Sequence, residues 1–179
     1  MIEKTLSGLE GSFCRFRRLT DPEWKTNTTE YKYSAAHVRV LTECPLAIER
    51  SEIATEQGAT AKMVLLTHVI SKRERIGITF TPLRGRWVDS SGSLIRVAQS
   101  SLKGMGIVDA QPLSTNWRGR KTAMASGSVA VSQGSLNAAV RVVEGVEVQG
   151  TWTLVAISAQ SLPEAQALLA ATEERIVLE

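Results

Sequence analysis

The sequence predicts a mainly β (or α+β) protein, built as an antiparallel sheet, sandwich or barrel with one C-terminal α-helix. Several segments alternate apolar and polar residues at the two-residue period of a half-buried strand. Residues 161–176 instead repeat their apolar side chains at helical spacing. The 179 residues are 43% apolar and 22% charged, which is typical of a globular chain. We therefore predict a single β-rich domain over residues 1–179, with the helix at about 162–176.

Five stretches in the N-terminal half have strand-like patterns. They are Phe13–Leu19, Tyr31–Leu41, Leu46–Ile48, Met63–Ile70 and Ile76–Phe80. The second stretch changes phase near Ala35, which indicates a β-bulge within one strand. The fourth is nearly all apolar, which is typical of a strand buried on both faces.

The C-terminal half contains the clearest strand pattern. Leu136–Val142 and Val146–Ala156 alternate on either side of Glu144-Gly145, which predicts an antiparallel hairpin with a two-residue turn. Thr122–Val131 precedes it as a third antiparallel strand. Leu94–Ala98 is also predicted to be a strand, because it follows the turn-like residues 89–92.

One helix is expected after these strands. Ser161 and Glu164 form a capping box, in which the Ser161 hydroxyl accepts from the backbone N–H of Glu164. Pro163 suits the first turn, where no helical hydrogen bond is lost. The apolar stripe is Leu162, Ala165, Leu169, Thr172 and Ile176.

Charge is divided unevenly along the chain. Between Lys72 and Arg141, eleven Lys and Arg residues oppose three acidic residues, a net charge of +8. Residues 1–71 are balanced, and residues 142–179 carry a net charge of −5. This division predicts a basic surface for a polyanion and an acidic end that contacts a basic neighbour.

The candidate nucleic-acid-binding residues combine Arg, Lys and Trp within Gly-containing segments. Cations neutralise phosphates, and Trp offers a face on which a base stacks. The predicted set is Arg84, Arg86, Trp87, Arg96, Lys103, Trp117, Arg118, Arg120 and Lys121. In the alternative interpretation, the Trp rings pack in the core under Arg stems, and the exposed cations protect strand edges from aggregation.

Catalytic and metal-binding patterns are sparse. The chain has two histidines, His37 and His68, at no metal-binding spacing, and it lacks the GxSxG, dinucleotide and Walker signatures. A site assembled across strands from His37, His68 and Cys44 is the alternative to two hydrogen-bonded strand histidines. We therefore predict a protein that is not an enzyme and needs no cofactor.

Cysteine content and the absence of targeting patterns suggest a location. Cys14 and Cys44 are predicted to be reduced, buried thiols, because two cysteines make no disulfide framework. No apolar run is long enough to span a membrane, and the N-terminus lacks the pattern of a signal peptide. The expected location is intracellular or in a virion, with no membrane partner.

Two resemblances bear on function. Gly85-Arg86-Trp87 and Gly150-Thr151-Trp152 resemble the Gly-x-Trp motif of lipocalin-like barrels, which implies a barrel that binds a small molecule. The layout of strands followed by a helix resembles RNA-phage coat proteins in architecture alone.

Three functions follow from these patterns. The first is a self-assembling structural protein, such as a viral or phage shell or tail subunit, whose partners are copies of itself and an RNA or DNA backbone. The second is a nucleic-acid-binding β-barrel module. The third is a lipocalin-like binding barrel.

Overall fold

Ten β-strands and two α-helices make up the part of the chain that the computed structural model describes, which is residues 14, 28–33, 37–54, 60–82, 90–145 and 150–179. The strands are β1 Thr29–Tyr33, β2 Val38–Thr42, β3 Ala47–Ala54, β4 Thr60–Ser71, β5 Glu74–Pro82, β6 Leu113–Trp117, β7 Arg120–Val131, β8 Gly134–Glu144, β9 Gly150–Ser158 and β10 Ile176–Leu178. The helices are α1 Ser90–Lys103 and α2 Leu162–Glu174.

The strands form two antiparallel sheets. The small sheet has the order β1-β2-β10, and the large sheet has the order β3-β4-β5-β9-β8-β7-β6. Strand β9 lies between β5 and β8, so it joins the meander β3-β4-β5 to the meander β6-β7-β8. Among the described strands the large sheet is open, because it ends at β3 and β6 without closing.

The main core lies between the large sheet and a layer made of α2 and the small sheet. Its largest fully buried apolar side chains are Trp152 and Phe80. The Phe80 ring stacks on Tyr33 of β1 at 4.3 Å, and this burial raises the pKa of the Tyr33 hydroxyl. The small sheet is therefore fixed to the large one through aromatic contacts as well as through the aliphatic residues of α2.

A second core lies on the other face of the large sheet, under α1. Leu94, Ala98 and Leu102 of α1 are at most 2% exposed and pack on β7 and β8. Strand β8 separates the two cores, since Val140 faces α1 and Val143 faces α2. The two helices thus cover opposite faces of the large sheet.

The predicted fold class is confirmed: the protein is mainly β, with antiparallel sheets and a C-terminal helix. Thr122–Val131 does pair with the strand that follows it, and β8 pairs with β9 as an antiparallel hairpin. Ser161 does cap α2, accepting a hydrogen bond from the Glu164 N–H at 3.3 Å. The prediction of a single domain over residues 1–179 stays a prediction.

Two strand predictions are wrong. Leu94–Ala98 belongs to α1, because Leu94 and Ala98 are also spaced for one face of a helix. Tyr31–Leu41 is two strands, β1 and β2, whose last facing pair is Tyr33 and Val38, so the chain reverses where we predicted a bulge. His37 at this reversal has a φ of 52°.

Two boundaries also differ from the prediction. The two-residue turn at Glu144-Gly145 is wrong, since Glu144 belongs to β8 and faces Thr151 of β9 across the hairpin. Residues 146–149, the start of the second predicted strand, lie outside the described residues. Helix α2 ends at Glu174, and Ile176 belongs to β10, which pairs with β2. The predicted strand at 13–19 lies outside the described residues apart from Cys14.

Candidate functional site

A disulfide and a histidine meet beside the small sheet. Cys14 and Cys44 form a disulfide, so the prediction of two reduced thiols is wrong. The two sulfurs and a ring nitrogen of His68 lie within 4.8 Å of one another. His68 Nε2 is 2.7 Å from the backbone oxygen of Cys14, and the oxygen can only accept, so Nε2 donates. Three separate segments of the chain therefore bring two cysteine sulfurs and an imidazole nitrogen together.

The framework around this cluster is rigid. Cys44 is fully buried, and its backbone N–H donates to Thr42 Oγ1 at 3.1 Å while that hydroxyl donates to the Cys44 carbonyl at 3.0 Å. Next to it, Glu43 accepts from Arg175 Nε at 2.8 Å. Arg175 is 1% exposed and also donates to the carbonyl of Ala171 at 2.7 Å. This buried ion pair connects the segment before β3 to the end of α2.

Two of the predicted nucleic-acid-binding residues, Trp117 and Arg118, lie in a structural cluster at the β6–β7 turn. Arg118 donates to the carbonyls of Glu173, at 3.1 Å, and Ile176, and its guanidinium lies 4.7 Å from the centre of the Trp117 ring. The Trp117 ring is half-buried and packs edge-on against Trp152 at 5.8 Å. This ring is therefore packed under cations rather than presented for base stacking.

The remaining predicted residues that the structure describes do not join one surface. Arg96 and Lys103 are exposed on α1, on the opposite face of the large sheet from the α2 end that Arg118 contacts. Arg120 and Lys121 begin β7, and partial burial lowers the pKa of the Arg120 guanidinium. Arg84, Arg86 and Trp87 lie outside the described residues.

The acidic C-terminal part forms ion pairs within the same chain. Arg141 Nε is 2.6 Å from a carboxylate oxygen of Glu173, and both side chains are largely buried. The Glu179 carboxylate lies 3.2 Å from Lys32 Nζ and 3.0 Å from Arg39 Nε. These contacts account for part of the predicted charge complementarity without a neighbouring subunit.

An uncovered region of the large sheet is a second feature of interest. On the α1 side, α1 packs on β7 and β8 with a smaller contact to β6. No described helix covers β3, β4 and β5 on that side. Strand β4 turns Met63, Leu65, Thr67 and Val69 toward it, and we call this part of the sheet the open face.

The open face is more accessible than the inner face of the same strands. Val69 is 48% exposed, whereas Leu66 on the other side of β4 is 5% exposed. The prediction that β4 is buried on both faces is therefore wrong. Across the open face, Val69 lies opposite Arg75 of β5, which lies opposite Ile157 of β9.

Comparison with known proteins identifies a shared fold. The solution structure of cyanobacterial PsbP (CyanoP) from Synechocystis sp. PCC 6803 matches with a TM-score of 0.55 and 9% sequence identity. The match covers 86% of this chain and 93% of that one. No protein-family model matches the sequence, and no curated protein matches it either. The similarity thus lies in the fold alone.

This comparison corrects the predicted functions. The fold is that of cyanobacterial PsbP, so the predictions of a viral or phage shell or tail subunit and of a nucleic-acid-binding barrel are wrong. The lipocalin-like barrel is wrong too, because the described large sheet is open and Trp152 of Gly150-Thr151-Trp152 is a core residue. The other Gly-x-Trp segment lies outside the described residues. Contacts between copies of the chain and an intracellular location stay predictions.

Neither helix that the structure describes has the length and apolar character needed to cross a membrane.

Sequence reasoning missed the partnership of Cys14 with Cys44 and the open face. The alternative metal site correctly joined His68 to Cys44 but included His37, which lies at the β1–β2 reversal. Cys14 could not be found by spacing, because 30 residues separate it from Cys44. The open face had one signal: Gly77 and Thr79 alternate with Ile76 and Ile78, which indicates one apolar and one weakly polar face of β5.

Proposed function

We propose that this protein is a non-enzymatic binding protein that holds a short, acidic, apolar-faced segment of a partner protein on the open face. The exposure of Val69 is the observation that supports this most directly. Val69 is an apolar β-branched residue that is 48% exposed, on the same face of β4 as the half-buried Leu65 and Met63. It offers apolar area that a partner can remove from water.

The size of the open face favours a short segment as the occupant. From Met63 to Val69, six residue steps along β4 cover about 20 Å, and the four strands β3 to β9 span about 14 Å. The resulting area is on the order of 300 Å², well below the roughly 800 Å² that each partner contributes to a standard protein–protein interface. One short helix or strand fits this area, and a whole globular surface does not.

Charge at one end of the open face favours an acidic segment. Lys72 and Arg73 form the β4–β5 turn, and Arg75 follows on β5 beside Val69. All three are exposed, and none forms an ion pair with another described residue. The neighbouring Glu74 is bonded to Ser71 Oγ at 3.1 Å. Carboxylates on the partner would find unpaired cations here, which increases the association rate and specificity.

The absence of an enzymatic role is also part of this proposal. The groups with the strongest chemistry are engaged in structural bonds: Cys14 and Cys44 in the disulfide, His68 with the Cys14 carbonyl, and Arg175 with Glu43. Such engagement is typical of groups that hold a scaffold together. A binding function needs only the exposed groups that remain.

A displayed peptide library selected against the wild-type protein tests this function. We expect the enriched peptides to combine apolar residues with Asp or Glu, and their affinity to fall as salt screens the charges. Val69→Glu and Arg75→Glu should each weaken binding by about 10-fold or more, because one buries an unpaired charge and the other repels the acidic residues.

Lys103→Glu is the matched control, because it reverses another exposed cation on α1, which packs on β7 and β8 and not on β3, β4 or β5. It should leave peptide affinity unchanged. The proposal fails if the selection yields no binder. It also fails if the selected peptides bind the Val69 and Arg75 variants as tightly as they bind the wild type. The same holds if Lys103→Glu weakens binding as much as Val69→Glu and Arg75→Glu do.

A further inference from the structure

We propose that reduction of the Cys14–Cys44 disulfide creates a zinc site whose ligands are the two thiolates and the imidazole of His68. The three ligand atoms already lie within 4.8 Å of one another. This site is separate from the open face, since His68 lies on the side of β4 that carries Leu66 and not Val69. The inference therefore does not depend on the proposed binding function.

Two of the three ligands are held in place without the disulfide. His68 lies on β4 opposite Ile76 of β5, directly after Thr67, the last β4 residue that pairs with β3. Cys44 is fixed by two hydrogen bonds between its own backbone N–H and carbonyl and the Thr42 hydroxyl, and both residues are 0% exposed. Among the described residues, Cys14 is held by the disulfide and by the hydrogen bond from His68. After reduction, a metal ion would replace the covalent bond as the link to Cys14.

The hydrogen bond to Cys14 prepares His68 for this role. Nε2 donates its proton to the Cys14 carbonyl at 2.7 Å, which fixes the orientation of the imidazole beside the two sulfurs. A metal-bound histidine usually donates its other ring N–H to a carbonyl or carboxylate in this way, which sets the tautomer and ring orientation.

The donor set suits zinc in both chemistry and charge. Zn²⁺ prefers thiolate and imidazole ligands, and three protein ligands leave a fourth tetrahedral position for water. Two thiolates and a neutral imidazole compensate the two positive charges completely. A neutral assembly is favoured at this site, because Cys44 is buried and the neighbouring Glu43 carboxylate is already bonded to Arg175.

The reaction balances with a dithiol as the reductant. The dithiol gives two electrons and two protons to the Cys14–Cys44 bond and becomes a disulfide itself. Each cysteine then carries a thiol. Binding of Zn²⁺ displaces the two thiol protons to solvent and leaves two zinc–sulfur bonds.

Zinc binding to the oxidised and the reduced full-length protein tests the proposal. A phosphine is used as the reductant, because it has no thiol that competes for the metal. In competition with a chromophoric chelator, the reduced protein should take up one equivalent of Zn²⁺ and release two protons, and the oxidised protein should take up none. Cobalt(II) in place of zinc should produce the charge-transfer absorption of thiolate ligands.

His68→Gln is the decisive variant, since its side-chain amide can still donate to the Cys14 carbonyl. It should weaken zinc binding to the reduced protein by at least about 10-fold, the loss that even an outer-shell partner causes. His37→Asn is the control, because it removes the other histidine at a positive φ that Asn tolerates.

Any of three results would disprove the proposed zinc site. The reduced protein binds no zinc, the oxidised protein binds zinc equally well, or the His68 variant has an unchanged affinity for zinc. The comparison of oxidised with reduced wild type needs no variant, so it decides the question even if His68→Gln does not fold.

Discussion

Arg118 shows how one residue combines backbone geometry with electrostatics. Arg118 and Gly119 have φ angles of 50° and 79°, as in the two-residue type I′ turn that joins antiparallel strands. This turn directs the guanidinium to the carbonyl of Glu173 at the end of α2 and to that of Ile176 at the start of β10. A cation is stabilised there, because the carbonyl end of a helix carries partial negative charge. The Arg-Gly-Arg sequence that suggested phosphate binding is a turn and a helix cap.

Gly127 on β7 is a residue at which a single methyl group should be costly. A Cβ atom there would lie 2.6 Å from Cγ2 of Ile107, a side chain that is 3% exposed. We expect Gly127→Ala to lower the free energy of unfolding by about 1–3 kcal/mol, because the packed segment after α1 must shift. Urea unfolding followed by circular dichroism measures this.

Gly77→Ala is the control for that change, since Gly77 also lies within a strand. A Cβ at Gly77 would meet Leu65 at 3.7 Å, an ordinary contact distance. Its stability should stay equal to the wild type or rise slightly, because glycine is unfavourable within a strand. An equal loss in both variants would show that the close approach of Ile107 is not the cause.

At the level of elements, the two helices illustrate different kinds of sequence signal. Ser161 and Pro163 mark the start of helix α2 in the sequence, because both act locally and do not depend on the rest of the fold. Helix α1 has no acidic residue in its first turn, and its apolar positions Leu94 and Ala98 fit a strand as well as a helix. Packing on β7 and β8 decides between them, and only the folded chain supplies it.

The cap of α2 gives a prediction at this scale. Ser161→Ala should lower the free energy of unfolding by about 1 kcal/mol, because the N–H of Glu164 loses its acceptor. Thermal unfolding followed by circular dichroism at 222 nm would record the change. Ser114→Ala, at an exposed position of β6, should have almost no effect. Equal stability of the Ser161 variant and the wild type would mean that solvent caps the helix equally well.

At the level of the whole molecule, a buried ion pair joins two segments that are far apart in the sequence. Arg175 after α2 bonds Glu43 before β3, and the two residues are 132 positions apart in sequence. The backbone continues this link, since the Leu41 N–H donates to the Arg175 carbonyl at 2.8 Å. The small sheet, α2 and the disulfide at Cys44 are therefore held in one network.

Breaking this pair should destabilise the protein strongly. Arg175→Met should cost about 3–5 kcal/mol in urea unfolding, because it leaves the Glu43 carboxylate buried without its charge partner. The double variant Glu43→Gln, Arg175→Met should cost less than the sum of the single changes.

Lys32→Met is the matched control for a surface pair. The Lys32 side chain is 52% exposed beside Glu179, so its loss should cost about 1 kcal/mol or less. A cost of similar size for Arg175→Met and Lys32→Met would contradict the role assigned to burial.

The sequence by itself determined the features that depend on near neighbours. The alternation along β7, β8 and β9 and the cap at Ser161 are set by residues within a few positions of one another, and their patterns identified strands and helix correctly. The net charges of the three segments follow directly from the sequence, but composition does not show where a charged side chain points. Arg118 was predicted as a binding cation and Arg141 was counted in the basic segment, and both bond to groups of the same chain.

Tertiary structure alone decided the contacts between distant segments. It joined Cys14 to Cys44, brought His68 to them and placed Arg175 on Glu43. It also left Val69 exposed on one side of β4 while Leu66 on the other side is buried. These outcomes depend on which strands become neighbours, in particular on the position of β9 between β5 and β8. Local pattern cannot specify such pairings, because every amphipathic strand offers the same backbone groups to any partner and the choice is made by burial of the whole sheet.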